Sequence, residues 1–309
     1  MSTEITEAFV QQFRSDIFHL SQQKGSRLRS MVRNESQNGK SQFFDRLGSV
    51  TAQKKTGRHS DTPLIDTPHS RRRVTLNDYE HADLIDSADK IRLLIDPASP
   101  YSQAFMWAFG RAMDDEIISA ALGNAYSGED GSTTVSWPNT QKLVSVASSA
   151  GANLNVQALR RAKKKLDEAD VDPSIPRHLA HQASQAENLL GETEVTSADY
   201  NTVKALVQGE INTFMGFNFV RLQRLNTQSG TLAFDTTSGA VGSGGGDADT
   251  YRRCIAWAED GLLLSIGRDM VTRIGERADK SYSTQVYAEM GIGSTRLEEE
   301  KVVEILCAE

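Results

Sequence analysis

Histidines pair up at two places in this chain, at one of them beside carboxylates, and adjacent acids and a run of glycines add two more where chemistry has to be considered. The stretch TGRHSDTPLIDTPHSRRRVTL, residues 56 to 76, sets His59 and His69 beside Asp61 and Asp66. Imidazole and carboxylate are metal ligands, but a metal needs them at compact spacing on elements that hold them still. Here they are strung along a proline-bearing segment without helical pattern, so a surface loop is expected and no metal ligand is assigned. RHLAH places His178 and His181 three residues apart, on one face of a short helix, with no third ligand in view. GSGGGDAD, residues 242 to 249, has the glycines of a phosphate loop but no closing lysine and Ser/Thr, and its two aspartates repel phosphate. A flexible tip is expected, with Asp247 and Asp249 able to hold a weakly bound cation at most. In MDDE, Asp114, Asp115 and Glu116 are neighbours on a helix and point in different directions, so they make a solvated or ion-paired face rather than an acid/base pair. No G-x-S-x-G elbow is present. No catalytic residue and no cofactor-binding residue is assigned.

The charge pattern is more telling. Between residues 54 and 73, Lys54, Lys55, Arg58, Arg71, Arg72 and Arg73 face only Asp61 and Asp66, six cations against two acids and a local charge of +4. Such a patch holds phosphates or the carboxylates of another subunit. The chain as a whole carries a formal charge of -7, with a pI near 5.5, which favours carboxylates such as those of Asp114, Asp115 and Glu116. Arginine's planar fork suits such an interface. Arg27 and Arg29 add to it from the N-terminal region.

At 309 residues the chain exceeds the usual size of one core, so one large or two intertwined domains are expected. Its 38% hydrophobic and 7% aromatic content leaves much surface for a partner to cover. Cys254 and Cys307 have no ligand-type spacing and fit a reducing compartment. No secretory signal pattern opens the chain and no apolar run spans a bilayer. Manufacture and use in a cytoplasm are expected.

The elements that would position these residues follow from periodicity. Ile5, Phe9, Phe13, Ile17 and Leu20 form a narrow helical stripe. SQFFDRLGSVTAQ reads as a strand and RVTLNDYEHADLID as a second, so the basic stretch between them becomes the end of a long projecting hairpin. A long helix runs from Pro100 to Leu122, with Ser99 as N-cap, Gly123 as stop and Phe105, Phe109, Met113, Ile117 and Ala121 or Leu122 on one face. EDGSTTVSWPNTQ reads as loop. NVQALRRAKKKLDEAD is an amphipathic helix with Val156, Leu159, Ala162 and Leu166 on its apolar side and a dense basic face. INTFMGFNFVRLQRL reads as paired strands about Gly216, and NTQSGTLAFDTTSGAVGSGGGDADT as loop or loose ribbon. Near the C-terminus Val286, Ala288, Met290 and Ile292 alternate as a strand, GSTRLEEE turns, and Val302, Val303, Ile305 and Leu306 answer as its partner.

This order of parts, with phrases such as FVQQFRSDIFHLSQQKGSRLRSMVR, DTPHSRRRVTL, HADLIDSADKIRLLIDPASPY, GRAMDDEIISAALGNAYSG and ERADKSYSTQVYAEMGIGSTRLEEEKVVEI, resembles the major capsid proteins of tailed double-stranded DNA bacteriophages over essentially the whole chain. The resemblance implies an α+β chain of the Hong Kong 97-like fold. Its parts would be an N-terminal arm over 1–35, an extended loop over 36–82 lying on a neighbouring subunit, a peripheral domain over 83–137 with spine helix 99–122, an axial domain over 138–270, and a return to the peripheral domain over 271–309. Gly244, Gly245, Asp247 and Asp249 would lie in a loop at the capsomer axis, while the arm and loop cations would contact other subunits. It also implies homo-hexamers and homo-pentamers in an icosahedral head around packaged DNA, without sequence-specific binding, metal or cofactor. Assembly would take place in the bacterial host cytoplasm, the mature location being the virion. The arm pattern begins at once, so a separate scaffolding protein is expected, with a portal and a decoration protein as further partners. Lys40, Lys54 and Lys55 lie where some shells form a lysine–asparagine cross-link, but no acidic catalyst accompanies them and none is assigned. The alternative from another class is a nucleic-acid-binding protein using the basic arm and loop; a metal-dependent hydrolase is a remote third.

Overall fold

A 25-residue helix, Ala98–Leu122, is the longest helical element of the computed structural model, in which residues 19–55, 57–58, 64–86, 98–147, 150–151, 153–191, 213–229, 233–234, 241–242 and 250–308 are described. The helix begins at Ala98, so Ser99 lies inside its first turn rather than before it. The expected apolar face is buried throughout, from Phe105 and Phe109 to Met113, Ile117 and Ala121. Gly123 ends it, its N–H reaching Ser119 O at 2.8 Å.

In chain order the elements are β1 (Arg33–Ser36), β2 (Ser41–Leu47), β3 (His69–Thr75), β4 (Asn77–Ile85), α1 (Ala98–Leu122), β5 (Ala125–Ser127), β6 (Thr133–Val135), β7 (Lys142–Val144), β8 (Val146–Ala147), β9 (Ala150–Gly151), α2 (Val156–Glu168), β10 (Arg177–His181), α3 (Ala183–Gly191), β11 (Thr213–Phe214), β12 (Phe217–Arg221), β13 (Thr227–Ser229), β14 (Ala233–Phe234), β15 (Val241–Gly242), β16 (Thr250–Ala258), β17 (Leu262–Arg277), β18 (Ser283–Arg296) and β19 (Val302–Ala308). Contacts divide the chain into two units. The first comprises Met1–Ser26, Asp78–Arg111 and Arg268–Gly291; the second comprises Arg27–Asn77, Ala112–Gly267 and Ile292–Glu309. The apolar stripe expected from Ile5 to Ile17, the ligand candidates His59 and Asp61, and the tip residues Gly244, Gly245, Asp247 and Asp249 lie outside the described residues.

In the first unit, Val286, Ala288 and Met290 on one face of β18 are buried, as their alternation required, and Phe105 and Phe109 of α1 belong to the same unit's buried set. The opposite face of β18 is polar: Glu289 pairs with Arg268 and Arg273, and Tyr287 donates to Glu80 and Glu289.

The second unit is built on a seven-stranded sheet ordered β11-β12-β10-β16-β19-β7, with β13 also paired to β16. Met215 and Gly216 have φ of 53° and 85° and form the two-residue turn between β11 and β12, as the glycine suggested. Helix α2 covers part of this sheet. Asn155 caps it by accepting from the Ala158 N–H at 2.7 Å, and Val156, Leu159, Ala162 and Leu166 are buried beneath it.

Three expectations are corrected. RHLAH is a strand, not a short helix: β10 lies between β12 and β16, where ladder pairing on both sides overrides local propensity. In a strand His178 and His181 point to opposite faces and cannot share a ligand. EDGSTTVSWPNTQ is not all loop, because Thr133–Val135 pairs with β5. The last strand does not answer β18; β19 runs antiparallel to β16 and parallel to β7. Residues 302–308 thus join strands formed by residues 250–258 and 142–144.

Both histidines of β10 are 6% exposed; His178 packs on the Trp257 ring at 5.6 Å and His181 on Phe219 at 5.5 Å. Burial holds the His181 imidazole below its usual value, at about 4, and lowers that of His178. A base whose folded value is depressed leaves stability intact above about pH 6.5, and loses it as the unfolded chain takes up the proton first. Subunit stability will therefore fall by up to ~3 kcal/mol between pH 6.5 and 4 from His181 alone. Urea unfolding across that range will show a flatter pH dependence in His181→Phe; an unchanged slope contradicts the assignment.

Candidate inter-subunit interface

Strands β2 and β3 pair antiparallel over their whole length, from Ser41 opposite Thr75 to Leu47 opposite His69. The long hairpin expected around the basic stretch is thus present, and its period of two sorts the three consecutive arginines. Arg72 points inward with Val74, and the two are each 1% exposed. Its Nε donates to Leu297 O at 3.3 Å and its Nη2 pairs with Glu299. Arg46 also donates to Leu297 O and lies 3.9 Å from Glu299. Arg296, fully buried, approaches Glu299 at 3.5 Å and sends its Nη1 to Ala121 O and Gly123 O at 2.8 and 2.9 Å. A cation there caps the C-terminal carbonyls of α1, where the helix dipole is negative. Its guanidinium also lies over the Trp137 ring at 4.7 Å. Burial pulls the Arg72 and Arg296 guanidinium groups below the ordinary arginine value, and Glu299 opposes that shift. Arg72 is therefore spent inside its own subunit, because an arginine flanked by two others in a strand must face the other way.

Arg71 and Arg73 share the outer face. Arg71 pairs with Asp45 at 3.1 Å and stacks on Phe43 at 5.7 Å; Arg73 stacks on Tyr126 at 5.1 Å and donates to Asp130 O at 3.3 Å. Phe43 and Tyr126 remain 37% and 41% exposed. Further out, Leu47, Val50, Leu64 and Ile65 are exposed, Leu64 at 97%. Lys54, Lys55 and Arg58 are exposed at the hairpin's end. Apolar and arginine-on-aromatic surface of this kind is what interface cores are made of. The sequence reading took the charges and missed the apolar residues, although Leu64 and Ile65 inside a polar loop were a visible signal.

The acids expected to await another subunit are occupied within this one. Asp114 is fully buried and accepts from the backbone N–H of Arg27 and Leu28 at 3.1 Å. Asp115 takes a two-pronged contact from Arg224, which raises that guanidinium's pKa. Glu116 accepts from Asn77 at 3.1 Å. Arg27 reaches Arg221 O with its side chain, and Arg29 begins a short 3-10 turn. In the first unit, Arg111 donates to Gln22 Oε1 and Gln23 O at 2.9 and 3.1 Å, and His19 lies against Trp107 at 4.7 Å. A Cβ on Gly110 would fall 2.4 Å from the backbone of Gly25, so only glycine allows this approach.

Among the described residues no three His, Cys, Asp or Glu side chains gather as a metal site, and no helix is long and apolar enough to cross a membrane. Cys254 and Cys307 are free and buried.

No curated protein sequence matches the chain. Solved structures do. The capsid of cyanophage P-SCSP1u superposes with a TM-score of 0.73 at 15% identity, covering 99% of this chain and 95% of that one. The capsid of Ralstonia phage GP4 gives 0.70 at 12% identity over 97% and 96%. The capsid of Helicobacter pylori bacteriophage KHP30 gives 0.70 at 11% identity over 100% and 98%. At such identities the likeness establishes the fold, which is α+β and Hong Kong 97-like. The sequence model of the phage capsid protein family matches residues 5–309, and with that span of agreement the chain belongs to the phage capsid protein family.

Proposed function

We propose that this chain is the repeating subunit of an icosahedral phage head, assembling into homo-hexamers and homo-pentamers around double-stranded DNA. The carrying observation is the outer face of the β2–β3 hairpin. Phe43 and Leu47 are exposed on the face that carries Arg71 and Arg73, and Val50, Leu64 and Ile65 are exposed in the segment between the two strands, a surface that a lone subunit has no use for and a second copy would bury. Individually modest contacts of this kind become strong when every subunit makes several at once. The role is structural and not catalytic. On this reading a separate scaffolding protein, a portal and a decoration protein are the other partners.

The test is electron microscopy of the protein expressed alone and with its neighbouring phage genes. Closed shells or capsomer rings support the reading; a persistent monomer in both cases sinks it. The three arginines give a finer prediction. Arg71→Ala with Arg73→Ala will leave urea unfolding of the subunit within about 1 kcal/mol of wild type while cutting shell yield. Arg72→Ala will instead destabilise the subunit itself. Equal shell yield from the outer double variant would remove the hairpin face from assembly.

A further inference from the structure

Helix α2 carries Arg160, Arg161, Lys163, Lys164 and Lys165 within six residues, followed by Asp167 and Glu168 in its last turn and by Asp170 and Asp172 just beyond it. Its opposite side is the buried stripe on the seven-stranded sheet, so these cations are held at fixed positions on a rigid element. Arg160, Lys163 and Lys164 are at i, i+3 and i+4 and share one side of the helix. Together with Asp167, Glu168 and Met215 they line an open recess of about 490 Å³.

The pairing of charges sets this face apart. Several exposed arginines elsewhere on the described surface sit against acids: Arg33 on Glu35, Arg71 on Asp45, Arg224 on Asp115, Arg277 on Asp279. On α2 the acids are already taken. Asp167 is held by Arg177 at 2.7 Å, and Glu168 by Lys164 in an exposed pair at 3.3 Å that solvent weakens. Arg160 and Lys163 make no ion pair with any described residue, whereas Lys165 lies in a recess with Glu168, Asp170, Glu298, Glu299 and Glu300. A row of fixed like charges in a chain of net charge -7 is unfavourable unless a dense anion neutralises it. Met215, in the turn between β11 and β12, closes one side of the recess.

We propose that this face of α2 is a contact surface for the phosphate backbone of duplex DNA, without sequence preference, and that it faces the interior of the shell. The inference rests on the capsid reading, which supplies the enclosed duplex. DNA is favoured over an acidic surface of a second copy because Arg160, Lys163 and Lys164 lie along one side of the helix, spaced to follow a line of phosphates. Duplex DNA offers matching charge at about one per 1.7 Å of its axis. Each subunit contributes few contacts, and repetition over the shell makes them effective while leaving any one of them weak.

The test uses unassembled full-length subunits and a fluorescent duplex of about 30 base pairs with arbitrary sequence, a length giving several phosphates per site. Neutralising three phosphates gives a log–log salt slope near −3, so wild-type affinity will fall roughly 40-fold between 50 and 200 mM salt. Arg160→Gln, Lys163→Gln and Lys164→Gln combined will bind at least about tenfold more weakly with a flattened slope. The three positions lie off the buried stripe, so the variant is expected to fold, and circular dichroism checks this. Unchanged duplex binding overturns the proposal. So does a variant that stops forming shells while wild-type subunits ignore the duplex, which would assign the face to a second copy. Shell formation by wild-type protein is scored separately by electron microscopy: its failure sinks the capsid reading, whereas absent duplex binding with shells intact sinks only this one.

Discussion

Glu299→Ala will cost the subunit about 3–5 kcal/mol, a large share of the ~5–15 kcal/mol that ordinarily holds a protein folded. Glu299 is the anion shared by Arg46, Arg72 and Arg296, of which Arg72 is 1% exposed and Arg296 fully buried. Without it two desolvated guanidinium groups face each other, and each already sits below the ordinary arginine pKa because of burial. The damage spreads, because Arg296 also caps α1 and Arg72 ties β3 to Leu297 O. Glu299→Gln retains one acceptor and will lose less. Equilibrium unfolding in urea measures both, and a loss below about 1 kcal/mol for the alanine variant would mean that solvent, not Glu299, serves these arginines.

Asp114→Ala will release the chain leading to β1. One carboxylate satisfies the N–H groups of Arg27 and Leu28, and hydrogen bonds to a charged acceptor contribute about 1.5–3 kcal/mol each. The loss will be about 2–4 kcal/mol, with Asp114→Asn intermediate. A local readout separates release of this segment from general unfolding: trypsin will cut after Lys24, Arg27 or Arg29 faster than elsewhere. Uniform acceleration at all sites would show that Asp114 supports the whole unit instead.

These two positions also show what could be read in the sequence. The long helix, its buried face, the hairpin strands and the amphipathic α2 were all legible, because each depends on a local period that a buried face enforces. The family phrases were legible too, and they carried fold and role together. What was not legible is pairing across the chain. The acids after Met113 read as a solvated face awaiting another subunit, whereas Asp114 turns inward to backbone groups 86 and 87 residues earlier. The run Arg71, Arg72 and Arg73 read as one patch, although strand geometry alone would have set Arg72 apart. RHLAH read as helix because nothing local announces that β12 and β16 will flank it. The final strand followed β18 in sequence and was given to it, but its partners, β16 and β7, begin 52 and 160 residues earlier.

That last pairing bears on how the protein is made. Strand β19 lies inside the seven-stranded sheet, so a growing chain that has emerged only as far as β18 holds β16 and β7 with a missing strand between them. Their open edges are templates for any passing strand. During synthesis, this half of the molecule stays exposed to mispairing until residue 308 clears the ribosome. Ribosomes stalling between the codons for β18 and β19 would then yield sticky fragments rather than shorter working subunits, and truncated chains would enter inclusion bodies before they could enter a shell.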